Sequence, residues 1–108
     1  MATDPATMDF LMDQMASAGH VTSRRMFGEY AVYLDGKVVA FVCDDTLFLK
    51  PVEAARALLP EPVEGLPYPG AKPHLQIGPE VDDPELLARL LRVVAEALPE
   101  PKPTTRKR

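Results

Sequence analysis

The 108-residue chain has no tryptophan, one cysteine and two histidines. With Cys43 alone, neither an intramolecular disulfide framework nor a cysteine-rich zinc site can form. His20 and His74 lie far apart, and neither sits in a metal-ligand spacing. No apolar run approaches the ~20 residues of a membrane-spanning helix. The opening Met1-Ala2-Thr3-Asp4-Pro5 lacks the basic start and apolar core of a secretion signal. Gly65, Gly70 and Gly78 are isolated and make no phosphate-binding loop. Ser17 and Ser23 have no nucleophile-elbow context. Cys43 stands beside Asp44 and Asp45, and nearby carboxylates disfavour a reactive thiolate. These absences point away from an enzyme, a metal site or a cofactor. They point towards a soluble cytoplasmic protein.

Prolines, by contrast, are abundant at 12, and charge is unevenly spread. Up to Leu98 there are 8 basic and 15 acidic residues, a net of -7. From Pro99 to Arg108 there are 4 basic and 1 acidic, a net of +3. An acidic body is a poor general phosphate binder. The basic end, Lys102, Arg106, Lys107 and Arg108, has no apolar anchor and is predicted to be disordered. The expected organisation is a domain over 1–98 and a tail over 99–108.

Hydrophobic spacing predicts helices at Asp4–Gly19, Pro51–Leu59 and from Asp83 to Leu98. Asp4 and Asp83 serve as caps, each followed by proline. Between the first two helices, residues 22–50 read as a strand, a break at Gly28, and two hairpins. Asp35-Gly36 is a strong turn signal and Asp44-Asp45 a weaker one. Leu75-Gln76-Ile77 reads as a short edge strand. The resulting class is α+β: a two-layer antiparallel sheet of four to five strands, with N-terminal, middle and C-terminal helices packed on it.

Two-residue loops pair Val32 with Val39, Tyr30 with Phe41, and Phe41 with Phe48. That register places Ala31, Tyr33, Val38, Ala40, Val42, Leu47 and Leu49 on the core face. It leaves Tyr30, Val32, Leu34, Lys37, Val39, Phe41, Cys43, Thr46, Phe48 and Lys50 on the second face, where Tyr30, Val39, Phe41 and Phe48 are to be covered by a helix or by a second subunit in a homodimer. Residues 60–73 form a proline-rich connection unsuited to strand or helix.

Arg24-Arg25-Met26-Phe27-Gly28-Glu29-Tyr30 stands out. It holds the only adjacent cations of the acidic body, beside an aromatic pair and a glycine break. Pairing of one arginine with Glu29 or Asp35 would make it an ion-paired strand corner. Alternatively, Arg24, Arg25, Phe27, Gly28 and Tyr30 form a recognition site for an acidic partner or nucleic acid.

The run Thr22–Tyr30, followed by Tyr33, Asp35-Gly36 and Asp44-Asp45-Thr46-Leu47-Phe48-Leu49-Lys50, resembles the N-terminal domain of the TfoX/Sxy competence regulators. The similarity covers residues 8–98. It implies a small α+β domain without catalytic residues. It also implies a regulatory partner, a transcription factor or RNA polymerase, as for family members that act beside a cyclic-AMP receptor protein. In full-length regulators a second domain follows, where this sequence has its basic tail. The competing readings are a nucleic-acid accessory protein using the tail with Arg24 and Arg25, and a small-molecule or enzymatic domain.

Overall fold

The computed structural model describes residues 3–26 and 29–98. Helix α1 (Pro5–Met15) starts where its cap predicts. Asp4 stays extended and its carboxylate accepts from the Ala6 N–H, while Pro5 takes the first turn. The helix buries Met8, Leu11 and Met15, then tightens into a 3-10 turn at Ala16–Ala18. Gly19 ends it with φ 147, and a β-carbon there would sit 3.1 Å from Leu34 Cδ1. Glycine thus permits both the backbone angle and the close approach to the sheet.

Strands β1 (Val21–Met26), β2 (Glu29–Leu34), β3 (Lys37–Cys43) and β4 (Thr46–Leu49) follow. Both turn residues of each of the last two hairpins have positive φ: 51° and 85° at Asp35-Gly36, 51° and 60° at Asp44-Asp45. That twist matches the flanking strands, and aspartate tolerates it better than most residues. Helix α2 (Glu53–Leu58) is shorter than expected. The chain then makes β5 (Glu64–Gly65), β6 (His74–Ile77), a second 3-10 turn, and α3 (Pro84–Ala97).

The strands form one antiparallel sheet of six in the order β1-β2-β3-β4-β6-β5. This is an α+β fold with more strands than the four to five expected. The segment Leu75–Ile77 is not an edge. It lies between β4 and β5, because the short Glu64–Gly65 segment pairs with its far side and Gln76 N–H donates to Val63 carbonyl.

The register of β2 on β3 also differs from a plain two-residue hairpin. Leu34 faces Lys37 and Tyr33 faces Val38, but Val32 then faces Ala40 and Tyr30 faces Val42. Val39 is the extra residue of a β-bulge. The bulge changes the predicted faces of β2 and of the start of β3, while Ala40, Val42, Leu47 and Leu49 lie on the core face as expected. Val32, Leu34 and Val39 join Ala40, Val42, Leu47 and Leu49 in the buried core, and Tyr30 packs against it. Ala31, Tyr33 and Val38, expected inside, lie outside that cluster. All three helices contribute to the cluster: α1 through Met8, Leu11 and Met15, α2 through Ala55, and α3 through Leu87, Leu90, Leu91 and Val94. The helices therefore form one layer on one face of the sheet.

Helix α3 is fixed at both ends. Asp83 Oδ1 accepts from the Leu86 N–H at 3.2 Å. Lys37 Nζ donates to the carbonyls of Ala95 at 2.8 Å and Leu98 at 3.3 Å. A cation at the carbonyl end of a helix satisfies acceptors that have no intrahelical donor. Lys37→Met keeps the aliphatic stem and removes the charge. It is expected to cost about 2 kcal/mol, read as a lowered urea midpoint at unchanged m value.

Candidate interaction surface

Among the described residues strand β1 pairs with β2 alone, which leaves its other edge open. Residues Thr22 to Arg25 are exposed. Arg25 lies opposite Tyr30 and so shares the helix side of the sheet; Arg24 lies opposite Ala31 and shares the outer side. The ion-paired corner does not form. Among the described residues neither guanidinium has an ion pair or side-chain hydrogen bond, the ion pairs being Arg56 with Glu53 and with Glu64.

The two expected carboxylate partners are engaged elsewhere. Asp35 Oδ1 accepts from the His20 N–H at 3.3 Å. Glu29 accepts from the Thr3 N–H at 3.0 Å, from the Thr3 hydroxyl, and from the Asp44 N–H at 3.0 Å. Asp45 Oδ1 accepts from the Asp4 N–H at 2.8 Å. These bonds tie the start of α1 to the β3–β4 turn and to the first residue of β2. Thr3 is buried there; Glu29 satisfies its N–H, while its hydroxyl also lies 3.4 Å from the Val42 carbonyl and accepts from the Asp45 N–H at 3.3 Å.

Phe27 and Gly28 of the candidate motif lie outside the described residues, as do Lys102, Arg106, Lys107 and Arg108. The proposed aromatic row is not a single surface. Tyr30 packs on the core cluster and Val39 is fully buried within it, both on the helix side. Phe41 and Phe48 are on the outer side, where Phe48 is buried and Phe41 half-buried. The bulge separates the pairs.

The outer aromatic residues are covered by the chain itself, not by a helix. The connection between α2 and β6 lies over them. The Tyr68 ring meets Phe41 edge-on at 6.3 Å, and the His74 ring meets Phe41 at 5.7 Å. Pro67 is buried. A β-carbon on Gly65 would lie 3.0 Å from Phe48 Cε1 and 2.5 Å from Gln76 Oε1, so the absence of a side chain lets β5 close against Phe48. His74 is oriented by its Nδ1, 2.7 Å from the Lys72 carbonyl. Tyr68 and Thr3 were not singled out from sequence. Tyr68 could have been found as an aromatic among prolines, while Thr3 carries no local signal.

A cleft of about 270 Å³ is lined by Leu34, Asp35, Lys37, Arg92 and Glu96 among others. Its cations already serve the fold. Lys37 holds the end of α3, and Arg92 donates to the Ser17 carbonyl at 3.2 Å. Among the described residues, no group of three or more His, Cys, Asp or Glu is placed to hold a metal ion. No helix among the described residues is long and apolar enough to cross a membrane.

Cys43 is buried, and its thiol is raised from 9.0 to about 11. Burial is the larger cause; the second is the Glu29 carboxylate, not Asp44 or Asp45. The thiolate fraction at pH 8 is thereby cut about a hundredfold, so iodoacetamide should label Cys43 at least about 100 times more slowly in the native protein than in urea. The unfolded thiol ionises first, at about pH 9. This group's contribution therefore leaves stability unchanged below that pH and lowers it from there to about 11. A Cys43→Ala variant should show a shallower loss of stability over that window. Separately, Glu29→Ala is expected to cost about 2 kcal/mol, chiefly by removing the acceptor of the buried Thr3 N–H, measurable by thermal melting with Glu29→Gln as the milder control.

Two comparisons with known proteins bear on this surface. The family model described as TfoX N-terminal domain matches residues 13–98, which includes β1 and all three helices in whole or part. A relative described as an uncharacterised 12.7 kDa protein in the trpE 5′ region of Spirochaeta aurantia is 47% identical over 103 residues. The alignment covers 95% of this chain and 90% of that protein.

Proposed function

The chain belongs to the TfoX N-terminal domain family, and we propose that it is a non-enzymatic regulatory module that acts by binding another protein. The observation that carries this reading is the pair Arg24 and Arg25. Two neighbouring guanidinium groups stand exposed and without a side-chain partner among the described residues, on an outer strand of a body whose net charge is -7 up to Leu98. Nearby carboxylates that could neutralise them are committed to the fold instead. Arginine is favoured at protein interfaces because its planar fork binds carboxylates with defined geometry.

The resemblance to the competence regulators supports a finer reading. The module would act in transcription control of DNA uptake, in the cytoplasm, with a transcription factor or RNA polymerase as the bound protein. The catalytic alternative draws no support from the cleft beside Lys37, whose cations are engaged in the fold.

Capture from native cell extract tests the proposal. The immobilised full-length chain should retain a defined protein that an Arg24→Ala, Arg25→Ala double variant of unchanged melting temperature loses at least about tenfold. Retention of the same proteins by both baits would overturn the reading. Loss of the captured protein on nuclease treatment would favour nucleic-acid binding instead.

A further inference from the structure

Arg24 and the outer aromatic residues stand in one line. Arg24 is opposite Ala31, Ala31 opposite Phe41, Phe41 opposite Phe48, and Phe48 opposite Gln76. Residues opposite one another share a face. The line therefore crosses five of the six strands on the side away from the helices. It starts at an exposed cation, ends at a neutral amide, and contains no carboxylate.

The apolar surface beside this line is concentrated. Four large apolar side chains are exposed among the described residues. Three of them fall within the connection that covers this face: Val63 at 53%, Leu66 at 55% and Tyr68 at 51%. Tyr68 is the ring that meets Phe41. Single exposed apolar residues need no explanation, but three in one connection, one of them meeting the half-buried Phe41 that lies in line with Arg24, have the composition of a recognition surface.

We propose that this outer face docks an extended acidic segment of a partner protein, with a carboxylate of the segment on Arg24 and an apolar side chain against Phe41 and Tyr68. The inference rests on the protein-binding reading above and names the chemistry of the partner. A carboxylate matches the guanidinium, which can bind it through two parallel hydrogen bonds. The spacing follows from the sheet. Arg24 and Phe41 are two strand steps apart, about 10 Å at about 4.8 Å per step; a segment in the extended polyproline II form, with about three residues per turn at about 3.1 Å each, covers that distance in three residues and returns its side chain to the same side. The segment therefore carries its apolar residue three positions from its carboxylate. The acidity of the surrounding body restricts the segment to few further negative charges, since a like-charged surround opposes them.

Two other occupants fit less well. A second copy meeting this face across a twofold axis would have to present a carboxylate from the same face to Arg24, and Glu29, which shares the side of Ala31, is engaged by Thr3 and Asp44. A nucleic-acid strand would find one cation in the line, enough for about one phosphate, on an otherwise acidic body.

The test is a titration of the full-length, nitrogen-15-labelled chain with a capped peptide of sequence Gly-Asp-Ser-Ser-Phe-Ser-Gly, followed by amide shifts. Saturable shifts centred on Arg24, Ala31, Phe41 and Tyr68 are expected. Arg24→Ala should weaken binding at least about tenfold, as should Tyr68→Ala, with Leu66→Ser as a second apolar variant if the former disturbs the spectrum. Arg25→Ala, on the other side of the same strand, should change binding less than about twofold. A peptide with asparagine in place of aspartate should bind as weakly as Arg24→Ala binds the original.

The proposal is overturned if no shifts occur, if Arg25→Ala weakens binding as much as Arg24→Ala, or if the asparagine peptide binds equally. It is also overturned if oligothymidine of eight nucleotides saturates the face while the peptide does not, or if the chain is a dimer in solution that Tyr68→Ala dissociates. Peptide failure with extract capture still lost in the double-arginine variant removes this face but leaves the protein-binding reading. Peptide binding without any extract capture does the reverse.

Discussion

A single additional residue in β3, Val39, controls which side chains the helices meet. Up to Tyr33 and Val38 the hairpin runs in simple register; beyond them Val32 faces Ala40, and alternation along β3 changes sides. A bulge inserts one residue on one strand and leaves the partner strand regular. Its effect here is to keep Val39 in the helix layer, to deliver Ala40 and Val42 there as well, and to send Phe41 and Cys43 the other way. Without it the α3 stripe of Leu87, Leu90, Leu91 and Val94 would meet a Phe41 ring where it now meets small and branched side chains. Close packing rewards that exchange, since overfilling a core costs about as much as leaving it underfilled.

The same residue creates a second, smaller apolar layer. With Phe41 and Phe48 turned outward, the outer face cannot be left to water as an ordinary antiparallel sheet would allow. The connection after α2 closes over it, with Pro67 buried, Tyr68 and His74 against Phe41, and Gly65 against Phe48. Prolines suit a cover of this kind. They restrict the unfolded chain, so less conformational entropy is lost when the segment is laid down. They also lack the N–H groups that would be stranded against an apolar surface. The proline-rich composition that makes residues 60–73 unpromising as strand or helix thus equips them as a cover on the sheet, although they do hold the two-residue strand β5.

Much of this was legible in the sequence, wherever one local interaction decides the outcome. Asp4 and Asp83 announce helix starts because a carboxylate can satisfy free N–H groups within its own turn. Asp35-Gly36 and Asp44-Asp45 announce hairpins because few residues accept positive φ. The bulge is silent because both faces of β3 are apolar, so alternation cannot choose between registers. Strand β5 is silent because two residues carry no pattern. The isolation of Arg24 and Arg25 is silent as well. It depends on Glu29 and Asp35 being claimed by Thr3, Asp44 and His20, contacts made across long stretches of chain or through the backbone.

The two open edges of the sheet bear on where a partner can bind. An unpaired edge invites strand addition unless something blunts it. Strand β1 carries two adjacent cations, which would face each other if two copies paired along it, and Thr22 and Ser23 add no apolar reward. Strand β5 at the other end is two residues long, and Glu64 is held by Arg56. Both edges are thus poor templates for another strand. With the helix side filled by its own core, the outer face is the surface that combines exposed apolar area with an unpaired charge. Arg24 and Arg25 then have divided duties. Both discourage edge pairing, but only Arg24 shares a face with Phe41, and recognition through that face follows from the side on which each arginine emerges.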